Sequence, residues 1–329
     1  MMDVHARYGL TRIINAAGSY TPVGVSRSPP QVGAAVSAAL GRFFVIDELQ
    51  DAVNRAVCRR YPAPDRAAAV CHCVSGAVTV AVAAAMAGKD SRAVAALPDP
   101  TGMPHRVVIP VGHCVNYGHP ITTSIRLAGA KPIPVGTART CSVDEIEQAV
   151  ARPDTAALML VSSRLVQGRD VDLVNAVAAA HRHGIPVILD GAAQDRRIDA
   201  LLATGADVVL VSGHKYLASP TAGLMIGRYD FIAACRAQEK GVGRAMKATK
   251  EALVGVLAAL EVRDQDPNDV WGDAQDAKVD AFIAAVQGLD NDMSVERWPD
   301  PSGMPFSRVR LRLGERHGPH AARWMADAL

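Results

Sequence analysis

Two residues in this chain stand where strands deliver side chains for shared chemistry. Val208-Val209-Leu210-Val211 follows Asp207 and leads into Ser212-Gly213-His214-Lys215. A continuous apolar run of this kind suits a strand covered on both faces of a parallel sheet. Lys215 then emerges beyond the strand's carboxyl end, where open α/β sheets bind their ligands. A second such strand, Ile185-Pro186-Val187-Ile188-Leu189, ends in Asp190. A lysine and a carboxylate presented together meet the needs of a pyridoxal phosphate (PLP) site. The amine joins the cofactor aldehyde, and the carboxylate keeps the pyridine nitrogen protonated so that the ring accepts electrons. By itself, Lys215 reads equally well as a surface lysine after an ordinary strand.

Other segments point to the same chemistry, each with a plain structural alternative. Val74-Ser75-Gly76-Ala77 joins a predicted strand to an Ala-rich helix. Small residues at a helix N-terminus leave N–H groups and the positive dipole end free for a phosphate; an ordinary strand–helix turn is the alternative. Val111-Gly112-His113 closes another strand, where the imidazole can either stack on a cofactor ring or simply pack. Ser212 and His214 flank Lys215, within reach of a cofactor phosphate, and Pro220-Thr221-Ala222-Gly223 makes a turn after it. Cys71-His72-Cys73 suggests a metal site, but successive strand residues point to opposite faces and cannot converge on one ion. These three are expected as small core residues, and no metal is expected.

The elements that position these residues follow from the pattern of the chain. Its 329 residues are 49% hydrophobic and only 4% aromatic, which implies Ala-rich helices packed on Val/Ile strands. Strands are predicted at Ala68–Val74, Val107–Val111, Lys131–Val135, Ala156–Val161, Pro186–Leu189, Val208–Val211 and Gly223–Ile226. Helices at Gly76–Ala87 and Asp172–His183 lie between them. Ser142-Val143-Asp144-Glu145 reads as a capping box, and Gly184 as a C-cap. The division expected is an N-terminal segment over residues 1–60 with a helix at Ile46–Arg60, a large domain over 61–264 ending in the helix Lys250–Asp264, and a small domain over 265–329. The small domain is expected to hold a helix (Ala274–Gln287), strands near Ser294–Trp298 and Val309–Leu313, and a last helix, His320–Leu329. The fold class is α/β: a mostly parallel seven-stranded sheet with helices on both faces, plus a small α/β domain.

Composition narrows the partners. With 35 basic against 33 acidic residues the net charge is +2, so no basic field for nucleic acid is expected. Met1-Met2-Asp3-Val4-His5 carries no apolar signal, and the longest apolar stretch, Val74 to Ala87, is too short and too interrupted to cross a membrane. Six cysteines without framework spacing agree with a reducing compartment. A cytoplasmic protein with no membrane partner is expected.

Asp190 and Ser212-Gly213-His214-Lys215 resemble the fold type I PLP enzymes of the aminotransferase class V-like group. Within that group the chain resembles the D-glucosaminate-6-phosphate ammonia-lyase and selenocysteine synthase-like family. The matching residues, in order, are Ile14-Asn15-Ala16-Ala17-Gly18, Leu97-Pro98-Asp99 with Thr101-Gly102-Met103, and Gly112-His113 with Asn116-Tyr117-Gly118. They continue with Ile125-Arg126-Leu127-Ala128-Gly129-Ala130, Asp190-Gly191-Ala192-Ala193 and the lysine segment. Gly241-Val242-Gly243-Arg244-Ala245-Met246-Lys247, with Lys250-Glu251, completes them. The resemblance implies PLP as cofactor, Lys215 as the Schiff-base lysine and Asp190 as the pyridinium partner. It implies phosphate contacts around Ser75, Gly76, Ala77, Ser212 and His214, His113 stacked on the ring, and Gln194 at the cofactor's phenolic oxygen. Arg244, Lys247 and Lys250, taken as one helix face, are anchors for an anionic substrate or else solvated charges.

The pattern departs from the family at Ala218-Ser219 before Pro220, where relatives carry Gly, and the small domain reads as short. The function expected is a lyase that removes water and ammonia from a 2-amino-3-hydroxy acid, such as D-glucosaminate 6-phosphate. A racemase or epimerase shares the early steps, with His113, Cys114 and Tyr117 as candidates for a second acid/base group. A non-catalytic or half-active partner subunit is a third reading. A homodimer or higher homo-oligomer is expected, because a Gly/Pro/Ser-rich arm is costly to order unless something pins it.

Overall fold

The computed structural model describes residues 3–318 and 320. Seven strands form the main sheet: β1 (Arg66–Cys71), β2 (Arg106–Pro110), β3 (Lys131–Val135), β4 (Thr155–Val161), β5 (Val187–Asp190), β6 (Val208–Ser212) and β7 (Gly223–Arg228). Their spatial order is β1-β7-β6-β5-β4-β2-β3. The pairs from β6 through β5, β4 and β2 to β3 are parallel, while β7 runs antiparallel to both β6 and β1. This is the mostly parallel seven-stranded α/β sheet that the alternating pattern predicts. β5 and β6 are buried along their whole length because helices cover both faces. Asp190, the last residue of β5, pairs with Leu210 of β6. The two strands therefore bring Asp190 and the lysine loop to the same edge of the sheet.

The helix Val74–Ala87 decides the shape of that edge. Only Ser75 and Ala85 escape full burial among its residues, and their Ala and Val neighbours let it lie close on the sheet. The predicted first strand ran to Val74; the strand ends at Cys71 instead, and the helix starts at Val74. Cys73 turns the chain, its thiol accepting the Gly76 N–H at 3.5 Å as an N-cap. A run of small residues hides that boundary, because neither period nor size changes across it. The Ser142–Glu145 capping box forms with both reciprocal bonds, and Gly184 closes the helix Leu173–Arg182 at φ 69°.

The chain divides into two compact units, Met1–Val262 and Arg263–Leu329. Within the larger unit the helices Pro30–Leu40 and Ile46–Arg60 precede the sheet. Val53 and Val57 of the second are fully buried in the core. The smaller unit holds the helix Asn268–Val286 and an antiparallel pair, β8 (Met293–Pro299) and β9 (Ser307–Leu313). Arg297 of β8 bonds Asp276 at 2.9 Å and also Asp280, both on the helix. The helix starts six residues earlier than the predicted Ala274, because Pro267 forms its N-cap. The helix predicted beyond His320 lies outside the described residues.

Candidate active site

A cavity of about 700 Å³ opens at the carboxyl edge of the sheet, within the size range of small-ligand sites. Asp190, His214 and Lys215 line it together with Ser75, Ser212 and Tyr117. Asp190 is 5% exposed, and its Oδ1 accepts the Ala192 N–H at 2.8 Å. Burial raises its proton affinity, against the opposing pull of that N–H and of Lys215. Burial in turn lowers the proton affinity of Lys215, while Asp190 and Asp195 act to hold its charge. A buried carboxylate near a desolvated amine is the arrangement expected where protons are to be exchanged.

The lysine loop has its shape because of one glycine. A Cβ on Gly213 would sit 2.4 Å from Ser219 Oγ and 3.0 Å from Ala222 Cβ. The missing side chain lets Ser219 fold back so that its N–H donates to the Gly213 carbonyl at 2.9 Å. Ser212 Oγ lies 3.3 Å from His214 Nδ1, and the His214 carbonyl accepts from Ser26 Oγ at 2.7 Å. Through Ser26 the N-terminal segment becomes a wall of the cavity, along with Thr21, Val25 and Ser28. Ala218 holds φ 56°, a left-handed conformation costly to any residue with a side chain.

At the opposite wall, the first turn of the Val74–Ala87 helix presents main-chain N–H groups. Gly76 and Ala77, expected at the phosphate, are buried away from the cavity with their N–H groups donating to Cys73, to Sγ at 3.5 Å and to the carbonyl at 2.8 Å, whereas Val74 and Ser75 line it. A Cβ at Gly76 would press on Met246 at 3.1 Å. His72 and Cys73 also line the cavity, so of the Cys-His-Cys run only Cys71 is a core residue. No group of three or more His, Cys, Asp or Glu side chains suited to a metal exists among the described residues.

Five more of the residues expected at the site lie outside the cavity wall. His113 does not line the cavity: it is 2% exposed, with Nδ1 accepting the Val161 N–H at 2.9 Å. Gln194 is buried behind the Asp190 turn, accepts from Arg197 at 3.1 Å, and stays outside the cavity wall. Arg244, Lys247 and Lys250 share no helix face, because a 3-10 turn (Val242–Met246) ends before the helix begins at Lys250. Lys247 is extended and bridges to Cys71. Lys250 Nζ donates to the carbonyls of Leu40 and Arg42 at 3.0 and 2.6 Å, closing the end of the Pro30–Leu40 helix. None of the three lines the cavity.

Of the three candidates for a second acid/base group only Tyr117 lines the cavity, and the structure adds His119 and Ser124 beside it. The segment Asn116–Pro120 is a tight loop, pinned by a bridge between its end residues and by Asn116 Oδ1 accepting the Gly118 N–H at 3.0 Å. It sets the Tyr117 and His119 rings edge to face, with centroids 4.8 Å apart. The Asn-Tyr-Gly turn chemistry was the available signal. Arg164 follows Ser163 and precedes Leu165, both on the cavity wall, and its charge works against that of Lys215.

A mostly parallel sheet with a buried aspartate and a lysine at the carboxyl ends of adjacent strands defines the fold type I class. The chain belongs to the SelA family, L-seryl-tRNA selenium transferase, whose pattern it matches over residues 31–270. It is 36% identical over 94% of its length to D-glucosaminate-6-phosphate ammonia lyase of Salmonella typhimurium (strain 14028s / SGSC 2262), covering 82% of that protein. It is 33% identical over 98% of its length to 5'-C-glycyluridine monooxygenase-decarboxylase of a Streptomyces species, covering 80% of that protein. A solved structure of D-glucosaminate-6-phosphate ammonia-lyase superposes with a TM-score of 0.85 at 34% identity, covering 99% of this chain and 86% of the other.

Proposed function

We propose that this protein is a PLP-dependent ammonia-lyase acting on an anionic 2-amino-3-hydroxy acid, with D-glucosaminate 6-phosphate as its first candidate substrate. The observation that carries this reading is the pairing of Asp190 and Lys215 in one cavity, in a chain that resembles the ammonia-lyase along nearly its whole length. When bound, PLP supplies a ring that accepts the electrons of a breaking Cα–H bond. The donor set fits it. Asp190, buried and avid for a proton, suits a shared proton at the pyridine nitrogen. The main-chain N–H groups of Val74 and Ser75, at the start of a 14-residue helix, suit the phosphate. Ser212 and His214 stand beside it.

Lys215 would hold PLP until the substrate amine takes its place, and the freed Nζ would then take the Cα proton; the low proton affinity that burial gives the amine leaves it unprotonated for that step. The Cβ–O bond then breaks with its electrons on oxygen, which takes a proton and departs as water. Nζ of Lys215 would then displace the substrate nitrogen, and one water hydrolyses the freed enamine to ammonia and a 2-oxo acid. Arg164, between the cavity residues Ser163 and Leu165 and near enough for its charge to act on Lys215, is the candidate partner for an anionic substrate.

The experiment is incubation of the purified protein and PLP with D-glucosaminate 6-phosphate, with ammonia and 2-oxo acid measured. No release of either would reject the reading. Oxygen uptake in the same vessel tests the second reading, an oxygenase, which the likeness to the Streptomyces enzyme carries.

A homodimer or larger homo-oligomer completes the proposal. Ile14, Leu40, Phe43 and Val45 of the N-terminal segment expose large apolar side chains, which a partner copy would cover. Light scattering that returned a single chain's mass would overturn it. Six free cysteines support a reducing, cytoplasmic setting. No described helix is long and apolar enough to cross a membrane.

A further inference from the structure

Elimination of a hydroxyl needs a proton donor, because hydroxide leaves poorly. Lys215, occupied with the Cα proton, leaves that donor unassigned. The cavity wall opposite holds a chain of hydrogen bonds whose direction can be read from chemistry alone. His119 Nδ1 lies 3.0 Å from the Pro120 carbonyl, which can only accept, so Nδ1 carries the hydrogen. In the neutral ring Nε2 is then an acceptor, and Ser75 Oγ, 3.1 Å away, donates to it. With its one hydrogen so used, Ser75 must accept from Ser124 Oγ at 2.8 Å. Ser124 must in turn accept from the Tyr117 hydroxyl at 3.4 Å. Thr79 Oγ1 fixes the scaffold by donating to the Ser124 carbonyl at 2.9 Å.

Every bond in the neutral chain therefore points from Tyr117 toward His119. A proton added at His119 Nε2 reverses each of them: Nε2–H donates to Ser75, Ser75 to Ser124, and Ser124 to the Tyr117 oxygen. The Tyr117 hydrogen is thereby turned away from Ser124 and towards the cavity that Tyr117 lines. Resting on the lyase reading above, we propose that Tyr117 is the acid that protonates the leaving hydroxyl, and that Ser124 and Ser75 resupply it with a proton from His119.

The protons balance. The departing oxygen keeps the Cβ–O electron pair and takes the phenolic hydrogen, leaving as water. The Tyr117 oxygen takes the Ser124 proton, Ser124 takes that of Ser75, and Ser75 takes the Nε2 proton of His119. The chain returns to its neutral direction, and His119 regains one proton from solvent, to which it is partly open. Burial raises the proton affinity of the Tyr117 phenol, which keeps it in the donating form. The Ser75 hydroxyl, committed to His119 and Ser124, is on this account a relay member, while its main-chain N–H serves the phosphate.

The test separates proton removal from elimination in one substrate. Holoenzyme in heavy water is given D-glucosaminate 6-phosphate, with Cα deuterium exchange followed by proton NMR and 2-oxo acid by assay. Tyr117→Phe and Ser124→Ala should lose at least about 100-fold in elimination while still exchanging Cα hydrogen. Ser124→Thr, which keeps the hydroxyl, should recover most of the loss. Elimination within a few-fold of wild type, or exchange lost in parallel with it, overturns the proposal. An independent readout needs no cofactor: the ¹⁵N shifts of the His119 ring should report hydrogen on Nδ1 in the neutral protein, and hydrogen on Nε2 would reverse the chain and overturn the relay. If wild-type protein neither exchanges nor eliminates, the lyase reading falls, and the ring shifts still decide the relay's direction.

Discussion

The main-chain N–H of Val161, at the end of β4, donates to Nδ1 of His113 at 2.9 Å. The bond needs an unprotonated Nδ1, and burial pushes the His113 pKa down to about 4 from the ordinary 6.5, with Asp170 acting in the opposite direction. Between those values the unfolded chain binds a proton that the native state refuses. Stability from this group is thus complete above pH 6.5 and is lost as the pH falls toward 4, to the extent of about 3 kcal/mol. Denaturant unfolding from pH 7.5 to 4.5 should show that decline. His113→Asn, whose amide oxygen can still accept from Val161, should show a flatter one.

Lys215→Ala should abolish covalent attachment of PLP and leave the fold intact, since the side chain faces the cavity rather than the core. Borohydride reduction of wild-type protein with PLP, followed by peptide mass analysis, should find the pyridoxyl group on Lys215. Its recovery on another lysine would remove Lys215 from its proposed role.

Asp190→Asn keeps the size of the side chain but cannot share a proton with a pyridine nitrogen as a carboxylate does. Turnover should fall by an amount equivalent to roughly 3–5 kcal/mol, the scale of a lost buried charge partner. PLP affinity should change far less, because the helix N-terminus is untouched. Kinetics beside a PLP titration gives both numbers, and near-normal turnover would exclude Asp190 from the site.

Ala218→Gly should stabilise the protein by roughly 0.5–1 kcal/mol. A left-handed alanine costs roughly 1–2 kcal/mol, and part of the relief is offset by the extra freedom glycine gives the unfolded chain. Ala218 holds φ 56°. A higher urea midpoint with an unchanged slope is the expected result, and an unchanged midpoint would show that the loop absorbs the strain elsewhere.

Lys250→Ala should weaken folding by about 1 kcal/mol through the loss of its bonds to the Leu40 and Arg42 carbonyls. KM for the amino acid should stay within a factor of two. A large rise in KM with unchanged melting temperature would restore Lys250 as a substrate anchor.

The sequence by itself determined the two central strands and the residues that follow them. Val208–Val211 and Val187–Leu189 are apolar without a break, and a polar residue ends each, so Asp190 and Lys215 can be placed from local pattern alone. Tertiary structure decided what pattern cannot carry. β1 pairs with β7, some 160 residues later in the chain, and so brings the Val74–Ala87 helix to the lysine loop. His113 ends a 3-10 turn just past β2 and is turned into the interior rather than the cavity; which way a side chain beyond a strand faces is set by what packs from elsewhere. Arg244, Lys247 and Lys250 have helical spacing, but the bridge from Lys247 to Cys71 holds the chain extended between them. Ser75 meets Ser124 across 49 positions and His119 across 44. Hydroxyl contacts of this kind leave no periodic trace, because each depends on a single approach of two distant segments and not on a repeated face.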